Sequence, residues 1–318
     1  MSKKISETIY QAAHEKAILV DRSNLGMLKF SGETRLDLIH RMSTNQINGL
    51  QSGEGVATIL TSDIARIIDR LILYASSDTV YCLTSENNAD NIARYLMRFV
   101  FFNDDFHIED LSADTAVFAI YGPQTKELLT AVGFPNTDLP LHHWRQVELD
   151  NVTAYLHRTD PINGNGYFVM SQTKDRDALW QMLLDGGLVT ADEAAFEFLR
   201  IEAGLPRYGR ELTLDYIPLE ANLWNDVSFS KGCYIGQEII ARMESRGKLA
   251  KQLTRLHAAA PIEAGANVLA NGKNGGAVTS VAAGLDGFVA LGYVKTAVLD
   301  ANTELTVGET AVTLYPHS

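Results

Sequence analysis

Two cysteines in 318 residues, at positions 82 and 233, are too few for a disulfide framework. They also fall short of the full thiolate set of an ordinary iron–sulfur site. Any cluster chemistry served by this chain would proceed without its stably housing a cluster alone, in a reducing compartment. No apolar run approaches the ~18 residues that a membrane helix needs. The segment MSKKISETIYQAAHEKAILV has lysines but no continuous apolar core or small-residue cleavage site, so the expected location is the cytoplasm, with no membrane partner. Basic residues are outnumbered, 27 Lys and Arg against 39 Asp and Glu, for a net charge of −12. That excess disfavours direct nucleic-acid binding, which depends on many basic phosphate contacts. Metal spacing is missing as well. His142-His143 cannot present both rings on one face of a strand, and no His-Glu-x-x-His occurs, so no metal site is expected.

What is present suits a soluble chain of two or three domains, 46% hydrophobic and 21% charged. The first part contains a duplicated plan. Gly26–Phe30 reads as a strand leading into a helical pattern at Leu36, Ile39 and Met42. Val117–Tyr121 repeats this with a helix through Leu128 and Leu129. Tyr81–Thr84 and Tyr167–Met170 form a second pair, followed by Ser85 and Ser171 as expected N-caps. Further strands are predicted at Val56–Leu60, Arg66–Tyr74 and Gln146–His157, and Asn163-Gly164-Asn165-Gly166 reads as a tight turn. After about Lys248, glycines punctuate short Val- and Leu-rich runs with no convincing helix, the composition of a small barrel or sandwich. The fold class is therefore α+β: two related α/β units over residues 1–246, then a small C-terminal β-barrel or sandwich over 247–318.

The most informative stretch is Lys231-Gly232-Cys233-Tyr234-Ile235-Gly236-Gln237-Glu238. Gly232 and Gly236 permit close approach to the main chain. Lys231 and the N-terminus of a helix predicted over Gln237–Arg246 would both favour a thiolate at Cys233, and the alternative is an inert cysteine in a turn. Cys82, in an apolar strand, is expected to be shielded. Downstream, Arg242, Arg246, Lys248, Lys251 and Arg255 form either a solvated face or a site for an anionic ligand. Asp69 sits in the apolar run Arg66–Tyr74 and should be paired or functional, since an unpaired buried carboxylate is costly. An ion pair with Arg70 is one reading. Glu202, on a helix with Phe198 and Leu199, reads as a helix acid near an interface and a salt-bridge partner of Arg200 or Arg207.

The octapeptide resembles the signature of the YgfZ-type folate-binding proteins, relatives of the glycine-cleavage T-protein (aminomethyltransferase). Arg200-Ile201-Glu202-Ala203-Gly204-Leu205-Pro206 and Pro218-Leu219-Glu220-Ala221 extend the likeness. The resemblance implies interlocked α/β domains plus a barrel around a central folate opening. It further implies tetrahydrofolate, or a one-carbon-substituted form, as cofactor. Asp69, Glu202, Glu220, Arg242, Gly232, Gly236, Gln237 and Glu238 would surround the folate, and Cys233, Lys231 and Asp69 would carry the chemistry. The implied role is iron–sulfur cluster assembly or repair, with iron–sulfur enzymes or cluster-assembly proteins as partners. Two alternatives stay open: a folate-dependent aminomethyltransferase or demethylase, and a non-catalytic scaffold for a protein partner. T-proteins carry two consecutive aspartates where this chain has Asp69-Arg70, a departure that weakens the transferase reading. Aromatics used against folate in some YgfZ proteins correspond here to Leu25 and Phe196.

Overall fold

The computed structural model describes residues 3–301 and 303–315. The outer ends of the two expected domain ranges, residues 1–2 and 316–318, lie outside the described residues, as does Asn302.

Helix α1 (Glu7–Glu15) opens with Ser6 as N-cap, its Oγ accepting the Ile9 N–H. Strand β1 (Ile18–Asp21) follows. The first unit then runs β2 (Leu25–Ser31), α2 (Arg35–Met42), β3 (Gly55–Thr61), β4 (Ile67–Ala75), β5 (Val80–Glu86), α3 (Ala89–Met97) and β6 (His107–Asp110). The second runs β7 (Thr115–Tyr121), α4 (Thr125–Val132), β8 (Trp144–Leu149), β9 (Val152–Ile162), β10 (Asn165–Gln172), α5 (Arg176–Asp185) and β11 (Val189–Thr190). Their sheets have the orders β3-β4-β5-β2-β6 and β8-β9-β10-β7-β1-β11. The run β8-β9-β10-β7 repeats β3-β4-β5-β2, so the duplication seen in the sequence is an architectural one. All pairings are antiparallel except that of β1 with β11.

Alternation in the strands gives each sheet two apolar faces. One face of the first sheet packs on α2 and α3 through Leu38, Ile39, Ile92 and Leu96. The matching face of the second packs on α4 and α5 through Leu129, Leu179 and Leu183. The remaining faces share a third core, which also takes in α6 (Glu193–Ala203) and one wall of the C-terminal barrel. Functional space therefore lies between the sheets, away from the outer helices.

Helix α7 (Gln237–Arg246) matches its predicted limits and ends at Gly247, φ +60°. The closed barrel comprises β12 (Lys251–Ala258), β13 (Asn267–Ala270), β14 (Lys273–Gly284), β15 (Gly287–Lys295), β16 (Leu305–Val307) and β17 (Thr310–Leu314), with the short α8 (Thr296–Asp300) before β16. A buried pair attaches it to α6. Arg200 Nη1 donates to Glu211 Oε2 (2.9 Å), and Ser280 Oγ on β14 bridges both side chains at 2.6 Å.

Three expectations need correction. The strand predicted over Gln146–His157 is a hairpin, β8 and β9, because Asp150 adopts φ +49° and turns the chain. Ser85 and Ser171 do not cap helices: Asn88 and Asp175 occupy those positions, and the Ser85 hydroxyl is bound to Asp69. The barrel region also contains a helix, α8.

Gly236 shows how tightly the signature stretch is packed. Its φ is +84°, and a Cβ there would lie 2.7 Å from the Ser62 carbonyl oxygen in the β3–β4 turn. Gly236→Ala is expected to cost about 1–3 kcal/mol through strain and overlap, measured as a lowered denaturation midpoint. An unchanged midpoint would show that this packing contributes little.

Candidate functional site

Adjacent residues of a strand point to opposite faces, and at Asp69-Arg70 on β4 this separates two charges. The Asp69 side is sealed. Its carboxylate accepts from Ser85 Oγ (2.5 Å), the Ser85 N–H (3.2 Å), Asn88 Nδ2 (2.9 Å) and the Arg70 N–H (2.8 Å), with no exposed surface. Burial pushes its pKa up to about 6, the hydrogen bonds pulling part of the way back. Arg70 faces the inter-sheet space. Its Nε donates to Asp226 Oδ2 (2.6 Å) and its Nη1 to Asp160 Oδ2 (2.7 Å). Burial works against the guanidinium charge, but the two carboxylates outweigh it and hold Arg70 protonated. Burial would likewise raise Asp160, yet Arg70 holds it below the usual carboxylate range. The expected Asp69–Arg70 side-chain ion pair is replaced by this Asp160–Arg70–Asp226 bridge, because alternation turns the two neighbours apart.

Arg70 and Asp160 line a central cavity of about 160 Å³. Its apolar wall is built from Leu25, Ile72, Leu83, Phe168 and Phe196. Arg22, Glu86 and Arg207 add a polar group to the lining. Arg22 lies over the Phe196 ring (4.2 Å to the centroid) and binds Glu86, which also pairs with Arg207 Nε at 2.9 Å. Burial opposes ionisation of Glu86, and the two guanidiniums overcome it. Arg22 Nη1 is buried without a hydrogen-bond partner, Glu193 being nearest at 3.7 Å.

The residues singled out in the sequence are distributed differently from the expectation. Glu202 meets His14 Nε2 (3.1 Å) and the Tyr315 hydroxyl (3.3 Å), not Arg200 or Arg207, and lies outside the cavity lining. Arg200 and Arg207 instead serve Glu197, Glu211, Glu86 and Glu193. Glu220 is buried, its carbonyl accepting the Leu253 N–H of β12 at 2.7 Å and its carboxylate the Ile217 N–H at 3.2 Å, and burial raises its pKa. Lys231 does not turn toward Cys233. Its ammonium donates to the carbonyls of His40 (2.5 Å), Ser43 (2.6 Å) and Asn45 (2.8 Å), where the electronegative end of α2 holds it. Burial lowers its pKa to about 8.

Cys233 is exposed and Cys82 fully buried. Gly232 has open space around it, Gln237 starts α7, and Glu238 and Arg242 are exposed. None of residues 231–242 lines the cavity. The basic run divides: Arg242 and Arg246 face solvent on α7, whereas Lys251 lies over the Tyr216 ring (4.3 Å) and Arg255 over that of Tyr315 (5.6 Å). Among the described residues, no group of three or more His, Cys, Asp or Glu is arranged to hold a metal ion.

Arg22, Glu86, Asp160 and Asp226 escape sequence reasoning. Each stands at the edge of an apolar element or in a loop, where an ionic residue reads as ordinary surface. Leu25 and Phe196, noted through the resemblance, do line the cavity.

Residues 2–231 match the family described as the GCVT N-terminal domain. The chain belongs to that family. Its GCVT relatives include the aminomethyltransferase of Symbiobacterium thermophilum, 30% identical over 319 residues, covering 94% of this chain and 84% of the relative. A chloroplastic protein of Arabidopsis thaliana, named provisionally as a transferase, is 29% identical over 295 residues, 92% of this chain and 68% of its own. The crystal structure of glycine cleavage system aminomethyltransferase T from Bartonella henselae superposes with a TM-score of 0.82 at 24% identity, covering 97% of this chain and 88% of the other. The fold of this GCVT chain is therefore T-protein-like, with mixed α/β sheets and a closed six-stranded barrel.

Two outcomes test the site. Arg70→Met leaves the buried Asp226 and the half-buried Asp160 without their cation and should cost about 3–5 kcal/mol in denaturant unfolding; a loss under ~1 kcal/mol would show that the bridge is dispensable. For Asp69, the folded pKa near 6 exceeds the ordinary 3.8, so the native state binds the extra proton between those values. Its favourable contribution is complete below about pH 4 and disappears as pH rises through 6, a change of about 3 kcal/mol. The stability of the protein relative to Asp69→Asn should fall across that window in calorimetric melts; a flat difference contradicts the assignment.

Proposed function

We propose that this chain is a tetrahydrofolate-binding protein of the YgfZ type that acts in iron–sulfur cluster assembly or repair. The observation that carries the reading is Arg70. A guanidinium bound by two aspartates stands on the cavity wall, and the one carboxylate of the Asp69-Arg70 pair is sealed on the other face. A cavity of that size can take the ring end of a folate, but it offers no free acid at this position for aminomethyl transfer.

The residues present fit a pterin. Leu25, Phe168 and Phe196 supply apolar contact for a flat ring, and the orphaned Arg22 Nη1 offers a donor. Asp160 and Glu86 would accept ring N–H groups, charge-assisted bonds stronger than neutral ones. Bound tetrahydrofolate, or a one-carbon-substituted form, would supply the one-carbon chemistry. Arg242 and Arg246 would meet partners or anionic groups outside the cavity. Cys233 would be the thiol presented to iron–sulfur enzymes or assembly proteins, and its exposure favours that role over a shielded one.

The competing reading, a folate-dependent aminomethyltransferase, draws support from relatives bearing that name. Replacing Arg70 with Asp would not restore a transferase site cleanly, because it would set a third carboxylate beside Asp160 and Asp226.

Titration calorimetry should show tetrahydrofolate binding with micromolar affinity, on the order of −8 kcal/mol, and Leu25→Trp, which fills the cavity, should weaken it at least about tenfold. Absence of binding to the unmodified protein removes the folate reading. No aminomethyl transfer to folate is expected; turnover like that of a T-protein would promote the alternative. At neutral pH, iodoacetamide should label Cys233 before Cys82. Cys233→Ser should remain folded yet fail to sustain iron–sulfur enzymes in cells, and full complementation would make the cysteine structural.

A further inference from the structure

A second cavity of about 170 Å³ lies between the same two sheets. Its relation to the central one is a matter of register. Leu25, Leu83, Thr159 and Phe168 line the central cavity, whereas Met27, Tyr81, His157 and Met170, each two residues along the same strands, line the second. Residues two apart share a face and are separated by about 7 Å, so the cavities are successive chambers of one inter-sheet space.

The chemistry of the second chamber differs sharply from that of the first. Trp144 is its anchor, fixed by an Nε1–H bond to the Ala75 carbonyl at 2.9 Å. Around it stand Tyr81 (6.2 Å, 79°), Tyr155 (6.0 Å, 44°) and His157 (5.7 Å, 13°). His157 stacks on Trp144, whereas Tyr81 meets it edge-on and Tyr155 at a tilt, and all four rings line the chamber. Met27 and Met170 complete the apolar wall, and Asp114 supplies a carboxylate at the exposed side. No Lys or Arg occurs among the residues lining it. His157 is 3% exposed, and neither ring nitrogen has a hydrogen-bond partner. Desolvation by burial lowers its pKa to about 3, so it is neutral and presents a lone pair. A buried imidazole with two orphaned nitrogens is costly unless a guest satisfies one of them.

Aromatic faces, thioether sulfurs, an imidazole lone pair and a carboxylate are all electron-rich, and the other polar side chains of the lining, Thr115, Ser171 and Gln172, are uncharged. An anion is excluded from such a box, and a cation with apolar substituents is favoured by ring quadrupoles. A cavity of ~150 Å³ accepts a guest the size of benzene, which sets the scale of the ligand. We infer that this chamber is a binding site for a small, free N-methylated ammonium ion that retains an N–H, with Trp144 and Tyr155 facing its methyl groups and His157 accepting its proton-bearing edge. The inference is independent of what occupies the central cavity, since it concerns binding of the cation alone.

The probes are trimethylammonium and tert-butanol, which match in size and in carrying one donor but differ in charge. Calorimetry and saturation-transfer NMR on the full chain should show saturable trimethylammonium binding at least about tenfold tighter than tert-butanol. Trp144→Leu, which keeps apolar bulk but removes the π face, should abolish that preference. Tyr155→Leu, at a half-exposed ring, gives a second measure should Trp144→Leu fail to fold. Equal binding of the two probes, no saturable binding of the cation, or a preference that survives a folded variant would overturn the assignment.

Discussion

The Arg70 guanidinium joins three parts of the chain that have little else in common. It belongs to β4 of the first sheet, Asp160 belongs to β9 of the second, and Asp226 lies in the 3-10 turn Trp224–Asp226 that follows α6. The two sheets face each other across apolar side chains, which attract without fixing a register. A directional ion pair at 2.6–2.7 Å specifies position where packing alone does not. Its burial also makes it all-or-none. With the guanidinium in place each carboxylate has a counter-ion; with it removed, two uncompensated anions are left side by side in a low-dielectric interior. The bridge stands on the wall of the central cavity, so keeping it closed fixes the spacing of the two sheets there.

Much of the architecture was legible because it is periodic. Helix α7 declared itself through Ile239 and Met243, with Gly247 as its stop, and the paired strand–helix patterns gave the duplication. The barrel followed from glycine spacing, although α8 was too short to stand out. Where local signals were ambiguous, the reading slipped. A single strand was inferred across Asp150 since Asn and Asp are common in loops and strand ends alike. Ser85 looked like a cap in one dimension, but in three it lies beside Asp69.

The site was less legible than the fold, for a physical reason. Lys231 sits two residues from Cys233, and proximity in sequence suggested mutual influence. Its long side chain reaches instead to the carbonyls of His40, Ser43 and Asn45, roughly 190 residues away. Glu202 is similarly claimed by His14 and Tyr315. Ionic side chains choose partners by tertiary distance, and a linear pattern carries no information about that distance. Arg22, Glu86, Asp160 and Asp226 were invisible for the same reason.

Strand β1 precedes the whole first unit in sequence, yet it sits in the sheet of the second, pairing Ile18 with Tyr121 and Asp21 with Phe118. The first sheet, β2 to β6, needs nothing beyond Asp110 to form its ladder. The second cannot be completed by its own segment. On a ribosome, the order of closure is thus inverted relative to the order of synthesis: the earliest strand must wait, unpaired, while the unit behind it assembles. Because of this threading the two α/β units are not interchangeable modules. Cutting the chain between β6 and β7 would separate β1 from its partner β7, so the repeat that began as two copies can no longer be taken apart into two.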